Sequence, residues 1–263
     1  MEIKAAQVKE LRDMTGVAMM DCKKALVECD GDIEKALDLL RSNSALKAEK
    51  KSGRATNEGA IVIGASADAS FIVEVDTETD FAAKDASFQK FLDDLTIFCE
   101  EQTPSDLDDL NEKYNAQLLE IIQKIGENIK ISYFQKLAIE GGIIASYKHS
   151  DNRLAAIVKI DSGDESLGRD IAMQVAANNP MAIYPDDIDQ NILDKEKEIA
   201  LATLADENKP DDIKEKIIIG KLNKFKMENA LVEQPFIKDP DKKIKDLLGN
   251  SKIISFLRKK VGE

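Results

Sequence analysis

The feature that most constrains this chain is an internal duplication near its middle. Glu58-Gly59-Ala60-Ile61-Val62 opens one copy and Glu140-Gly141-Gly142-Ile143-Ile144 opens the other. Each opening leads through a polar turn to an apolar run that ends in Asp, residues 71–76 in the first copy and 154–161 in the second. The alternation of Phe71, Val73 and Val75 predicts a half-buried strand. A helix follows in both copies: Phe88, Phe91, Leu92, Leu95 and Cys99 recur at helical spacing, as do Ile171, Ala172, Val175 and Ala176. Two hairpin-plus-helix units predict an α+β chain with a core of two related antiparallel-sheet-plus-helix subdomains, residues 57–139 and 140–187. Between the copies, Leu107, Leu110, Tyr114, Leu118, Ile121, Ile122 and Ile125 predict a long helix that Gly126 can cap, and residues 129–137 then read as a strand.

The flanks read differently. Residues 1–45 predict three short helices. Val8 and Leu11 mark the first, which Met14-Thr15-Gly16 ends. Cys22, Ala25, Leu26 and Cys29 line the second, which Gly31 closes, and Asp32 caps the third, with Ile33, Ala36, Leu37 and Leu40 on its apolar face. A unit this small is marginal alone and serves to present a surface. Residues 46–56 form a linker in which four of the ten residues Lys47–Thr56 are basic; its charge is either solvated or meets an acidic partner. Residues 188–225 predict two helical arms around a turn at Asp206-Glu-Asn-Lys-Pro210, with Ile188, Ile192, Ile199, Ile213 and Ile217 spaced as a seam. This is an antiparallel helical hairpin of coiled-coil type projecting from the body. Residues 226–263 return to the core as a short C-terminal module, with Leu247, Leu248, Ile253, Ile254 and Leu257 as apolar anchors.

Composition bears on function mainly by exclusion. The formal net charge is −13, which repels phosphate backbones and argues against a general nucleic-acid binder. Three cysteines, Cys22, Cys29 and Cys99, with no CxxC pair, fit a reducing compartment. They read as small core residues, with a redox or metal role as the alternative. The Met1-Glu2-Ile3-Lys4 opening lacks a signal-peptide pattern, and no apolar run approaches the ~20 residues of a membrane span, so a cytoplasmic protein is expected. There is no GxxxxGK[ST] loop and no GxGxxG, and His149 is the only histidine, which excludes multi-histidine zinc sites. Asp186-Asp187 and Asp211-Asp212 sit beside helix starts, where carboxylates favour the dipole; acid–base chemistry is the alternative. Nothing here demands an enzyme, a metal or a cofactor.

Val8-Lys-Glu-Leu-Arg-Asp-Met-Thr-Gly16 together with Met19-Met-Asp-Cys-Lys-Lys-Ala-Leu26 resembles the opening signature of the elongation factor Ts family. Thr79-Asp80-Phe81-Ala-Ala-Lys-Asp85, Lys124-Ile-Gly-Glu-Asn-Ile129, Ile171-Ala-Met-Gln-Val-Ala-Ala177 and Glu233-Gln-Pro-Phe236 are similar to further motifs of that family, in the same order. The resemblance implies a small ubiquitin-associated-type helical domain, a core of two related subdomains, a helical hairpin and a C-terminal module. It implies a translation elongation factor that promotes GDP release from elongation factor Tu by disturbing the Mg²⁺ and phosphate site, so that GTP can rebind. The partner is then a protein, with no direct nucleic-acid or membrane contact, and a homodimer or a two-plus-two assembly is open. The chain stops at Val261-Gly-Glu263, where family members often continue into another helix.

Carried onto this sequence, the acting residues are Thr79, Asp80, Phe81, Ala82 and Ala83, with Phe81 as an apolar wedge. Met19, Met20, Lys23, Ile125, Gly126 and His149 are further partner contacts. Plainer readings stand beside these. Phe81 and Phe88 are seven apart and could share one buried helix face. Ile125 could be a buried helix end, His149 a polar turn residue, and Met19 or Met20 core. An interaction scaffold of ubiquitin-associated type without exchange activity is the main alternative function. A hydrolase using paired carboxylates is a second, with no motif in its favour.

Overall fold

The computed structural model describes residues 3–204 and 210–263. Most of the turn expected at Asp206–Pro210 lies outside the described residues. Elements in chain order are α1 (Ala5–Thr15), α2 (Met19–Glu28), α3 (Ile33–Glu49), β1 (Glu58–Ala65), β2 (Ala69–Thr77), α4 (Asp80–Lys84), α5 (Ala86–Gln102), α6 (Leu107–Ile125), β3 (Ile129–Ala138), β4 (Ile143–Lys148), β5 (Leu154–Ile160), α7 (Glu165–Asn178), α8 (Gln190–Leu204), α9 (Asp211–Asn229), β6 (Pro235–Phe236), β7 (Asp239–Lys243), α10 (Ile244–Leu248) and β8 (Ile253–Lys260). The class is α+β. Two compact units form: residues 3–138, 148–155 and 259–263 make one, and the described residues of 139–147 and 156–258 make the other.

The first unit is built on the antiparallel sheet β1-β2-β3. Phe71, Val73 and Val75 point from the central strand into a core shared with Phe88, Phe91, Leu95, Leu110, Tyr114 and Ile122 of α5 and α6. The strand is not half-buried as its alternation predicts: all nine residues of β2 are buried. Its polar side chains are covered too. Glu74 accepts from Lys259 Nζ (2.9 Å) and from the Gly262 N–H (3.0 Å), so the chain end lies over this face.

The N-terminal helices share their own core of Val8, Leu11, Val17, Cys22, Ala25, Leu26, Ala36 and Leu40. Gly16 and Asp32 act as their sequence positions predict: Gly16 ends α1 in the left-handed region, and the Asp32 carboxylate accepts the Lys35 N–H. The linker is shorter and tighter than its composition suggests. Helix α3 runs to Glu49, because Ala45, Leu46 and Ala48 extend a helix-favouring run. Lys47 then pairs with Asp21 (2.9 Å) and Arg54 with Glu78 (3.1 Å), and Lys51 donates to the Ile122 carbonyl (3.4 Å). These charges are therefore spent on internal partners.

In the second unit the sheet order is β4-β5-β8, and β6 and β7 form a separate ribbon. Two of the family-like motifs, residues 171–177 and 233–236, meet here. Gln174 of α7 is fully buried and donates to Gln234 Oε1 (3.2 Å) and the Pro235 carbonyl (3.1 Å), while its Oε1 accepts the Ile237 N–H (3.0 Å). Glycine is required at both duplicated openings. A Cβ on Gly59 would lie 2.2 Å from the Val75 carbonyl oxygen, and one on Gly142 would lie 2.5 Å from that of Ile160.

Helices α8 and α9 differ from the expectation in two ways. Helix α9 continues to Asn229, four residues past the expected end of the hairpin. The seam is also a different stripe. Ala200, Leu204 and Ile218 are buried together, with Ile217 and Leu222 half-buried against them, and Ile188 and Leu193 belong to a neighbouring cluster. Ile192, Ile199 and Ile213 are exposed. Ile192/Ile199 and Leu193/Ala200 carry the same seven-residue spacing, so spacing alone could not choose between adjacent stripes. Ile254 is likewise exposed rather than an anchor, because it alternates with the buried Ile253 along β8.

Candidate functional site

The corner after β2 is built by hydrogen bonds. Thr79 is extended and caps α4, its Oγ1 accepting the Ala82 N–H (3.2 Å), and Thr77 Oγ1 donates to the Thr79 carbonyl (2.8 Å). Asp80 opens the five-residue helix and pairs with Lys84 (2.7 Å); that bond holds its carboxyl below the usual range. Ala82 is buried and Ala83 packs against the core. Phe81, on the opposite side of the turn, is 81% exposed.

The shared-face reading of Phe81 and Phe88 fails here. Asp85 has ψ 137°, which breaks the helix, and its side chain caps α5 by accepting the Ser87 N–H (2.7 Å). Phe88 therefore faces the core while Phe81 belongs to a separate short helix and faces solvent. An aromatic ring held out on a hydrogen-bonded corner has the character of an interface anchor.

The end of α6 lies against this corner. Gly126 caps the helix at φ +88°, a left-handed conformation that suits glycine. The chain then turns so that the Glu127 carboxylate accepts both the Thr79 N–H (3.0 Å) and the Thr79 Oγ1–H (2.7 Å). In return, Glu78 accepts the Asn128 N–H (2.5 Å). The buried Asn128 side chain donates to the carbonyls of Ser52 (3.3 Å) and Arg54 (2.9 Å). Ile125 is half-buried on the core and Gly126 is exposed. The structure thus brings the residues of 79–83 and 125–126 together.

His149 is an exposed turn residue whose Nδ1 lies 3.1 Å from the Asp151 carboxylate. Its turn is anchored to β1: the Ile61 N–H donates to the Asn152 carbonyl (2.7 Å), and Arg153 pairs with Glu58. A cleft of about 680 Å³ runs between this turn and the corner, lined by Asp80, Ala83 and Lys84 on one side and Ser150, Asp151 and Arg153 on the other. Met19 and Met20 are 44% and 62% exposed, so neither is core, and Lys23 is exposed on the same helix. No described contact joins them to the corner.

Comparison with known proteins gives a consistent result. A family model described as elongation factor Ts matches residues 78–263. The elongation factor Ts of Marinobacter nauticus is 46% identical over 266 residues, covering 99% of this chain and 91% of that protein. Those of Teredinibacter turnerae and Saccharophagus degradans are 42% and 41% identical, each covering 100% of this chain and 92% of the relative. The chain belongs to the elongation factor Ts family.

Within this member of the elongation factor Ts family, sequence reading missed Glu78, Glu127 and Asn128 as the residues that hold the corner. Glu127 and Asn128 stand inside a motif already singled out, and Glu78 immediately precedes another. Their pairing joins positions about fifty residues apart, a link no local pattern reveals. Elsewhere, burial pushes the Cys99 thiol up to about 12, so it stays protonated. Among the described residues, no group of three or more His, Cys, Asp or Glu side chains is placed to hold a metal ion, and no helix is long and apolar enough to cross a membrane.

Proposed function

We propose that this chain binds elongation factor Tu carrying GDP and promotes release of the nucleotide, with the Thr79–Ala83 corner as the acting element. The observation that carries this reading is Phe81: a large apolar side chain, 81% exposed, on a corner whose entering turn at Thr79 is fixed by hydrogen bonds. A rigid aromatic loses little conformational entropy on docking and can wedge into a groove of a partner. Asp80 orients the corner. Ile125, Gly126 and the His149 turn extend the same face, and Met19, Met20 and Lys23 form a second contact area on α2.

The mechanism is negative linkage. A partner that prefers the nucleotide-free conformation must lower nucleotide affinity, and the nucleotide must reciprocally weaken the partner. Each tenfold weakening needs about 1.4 kcal/mol of differential binding. The Mg²⁺ and phosphate contacts being disturbed belong to elongation factor Tu, so this chain makes and breaks no covalent bond.

The same reading assigns residues 1–45 to a ubiquitin-associated-type domain, 46–56 to a linker and 57–139 and 140–187 to two related core subdomains. Residues 188–225 are the hairpin and 226–263 the C-terminal module. The two strand orders, β1-β2-β3 and β4-β5-β8, support the relation of the core halves: in each the second strand is central and the third joins from later in the chain. Translation elongation places the protein in the cytoplasm. Pairing through the hairpin or core faces would give a homodimer or a two-plus-two assembly.

The test is release of fluorescent GDP from elongation factor Tu, chased with unlabelled GDP, with and without this chain. Accelerated release supports the reading. No acceleration by a folded chain, with a partner from the same source, sinks it and favours a scaffold that binds without exchange.

A further inference from the structure

Two hydrogen-bonded crossings tie the strand end at Glu78-Thr79 to the helix end at Glu127-Asn128, and they are reciprocal. Glu127 accepts the Thr79 N–H (3.0 Å) and Glu78 accepts the Asn128 N–H (2.5 Å). The Glu127 crossing carries a second bond, from Thr79 Oγ1 (2.7 Å). That bond matters because the same hydroxyl oxygen accepts the Ala82 N–H and so caps α4. A carboxylate that accepts the hydroxyl O–H leaves the oxygen lone pairs free to accept the Ala82 N–H. Glu127 therefore sets the rotamer of the cap, and the cap sets the direction of the first turn of α4, on which Phe81 stands. Helix α4 has five residues, too few to hold its own axis by internal hydrogen bonds. Its orientation must come from outside: Ala82 and Ala83 pack on the core and Gln89 Nε2 donates to the Ala83 carbonyl (2.6 Å) at its far end, while Glu127 fixes the cap at its first turn.

We propose that Glu127 is a positioning residue for nucleotide exchange: by clamping Thr79 it locks the Asp80–Phe81 corner and the Ile125–Gly126 helix end into one rigid docking element. Glu127 acts through Thr79 and has no role that requires it to touch the partner. The inference rests on the proposed exchange function.

It is tested with E127A, E127Q, F81A and the double variant E127A/F81A, measured on the full chain in the GDP-release assay at several concentrations. E127A should lower the apparent second-order rate about tenfold, since hydrogen bonds to a charged acceptor are among the stronger ones. E127Q, which keeps one acceptor for the Thr79 N–H, should recover part of the loss. The deciding readout is the double-mutant cycle. If Glu127 works by placing Phe81, E127A in the F81A background should cost less than about twofold. Amide hydrogen exchange in the free protein supplies a reading independent of the partner: the Thr79 and Ala82 amides should lose protection in E127A while those of β2 keep it.

A loss that multiplies in full with that of F81A would overturn the proposal and leave Glu127 as an ordinary stabilising residue. Unchanged release by E127A beside an active parent chain would also overturn it, leaving the exchange function intact. An inactive parent chain removes the exchange function and the positioning role together, and is recognised because no variant is then needed to see it.

Discussion

Helices α6 and α9 are both 19 residues long, and they are used in opposite ways. Helix α6 buries Leu110, Tyr114, Ile121 and Ile122 and sends its capped end into the corner. Helix α9 buries Ile218 alone and leaves Ile213, Ile219 and Met227 exposed. The apolar residues of α6 fall on one stripe, whereas those of α9 include three consecutive isoleucines, Ile217-Ile218-Ile219, which cannot share a face. A single stripe fixes both the rotation of a helix and the position of the chain segment at its end. Apolar residues spread around the axis fix neither. Exposed apolar groups therefore differ in meaning: Phe81 is held out by a capped, clamped corner, while the exposed isoleucines of the hairpin are left over from a narrow seam.

The largest effect should come from breaking the α6 stripe. Leu110 is fully buried, so Leu110→Ala should cost about 2–5 kcal/mol of unfolding free energy by urea titration, through lost transfer energy and a cavity. Ile213→Ala in α9 should stay within about 0.5 kcal/mol, as exposed substitutions do. Equal losses would mean that the two helices are packed alike.

Function should separate from stability at the corner. Phe81→Ala should slow stimulated GDP release by at least about tenfold, the size of a modest interface anchor, with the urea midpoint essentially unchanged. A variant that melts early would return Phe81 to the core; one that exchanges normally would move the acting element elsewhere.

Legibility in the sequence divides along the same line. The α6 stripe could be read residue by residue, since Leu107, Leu110, Tyr114, Leu118, Ile121, Ile122 and Ile125 are all buried or half-buried. The hairpin seam could not, because Ile192 and Leu193 offer equally apolar neighbouring stripes and only packing selects one. At the corner, the family resemblance singled out Asp80 and Phe81 as partner contacts while spacing alone pointed Phe81 inward, and the structure leaves Phe81 exposed. Asp85 was the missed signal: an Asp before Ala-Ser is a helix start, and it separates α4 from α5. The Glu78–Asn128 and Glu127–Thr79 crossings stayed hidden because a polar side chain carries no periodicity to announce a distant partner.

A smaller effect tests the strand that leads into the corner. Burial, aided by the charge of Glu74, raises the Asp76 carboxyl from its ordinary 3.8 to about 6, against the pull of Lys130 at 3.4 Å. The folded state thus binds this proton more tightly than the unfolded chain does. The resulting stability is fully present below about pH 3.8 and is lost as pH rises through about 6. Asp76→Asn carries no such proton. The stability of the variant relative to the parent should therefore rise between pH 4 and pH 7 in urea titrations, and a constant difference would show that Asp76 is not desolvated as described.

The smallest effect belongs to Ile199 in the hairpin, and set against Ile218 it is the sharpest check of which stripe forms the seam. Ile199 is 60% exposed and Ile218 is 6% exposed. Both are isoleucines in helices, so intrinsic propensity cancels when each is changed to Ala. Ile218→Ala should cost about 2 kcal/mol or more because it opens the space between Ala200 and Leu204. Ile199→Ala should change stability by less than about 0.5 kcal/mol, and could raise it slightly because Ala is the better helix former. Local hydrogen exchange of α8 amides is the suitable measurement, since a hairpin with so small a core can open without global unfolding. If Ile199→Ala instead opened α8 as much as Ile218→Ala does, the stripe expected from Ile192 and Ile199 would be the true seam, and the contrast between α6 and α9 would reduce to one of length of contact rather than of pattern.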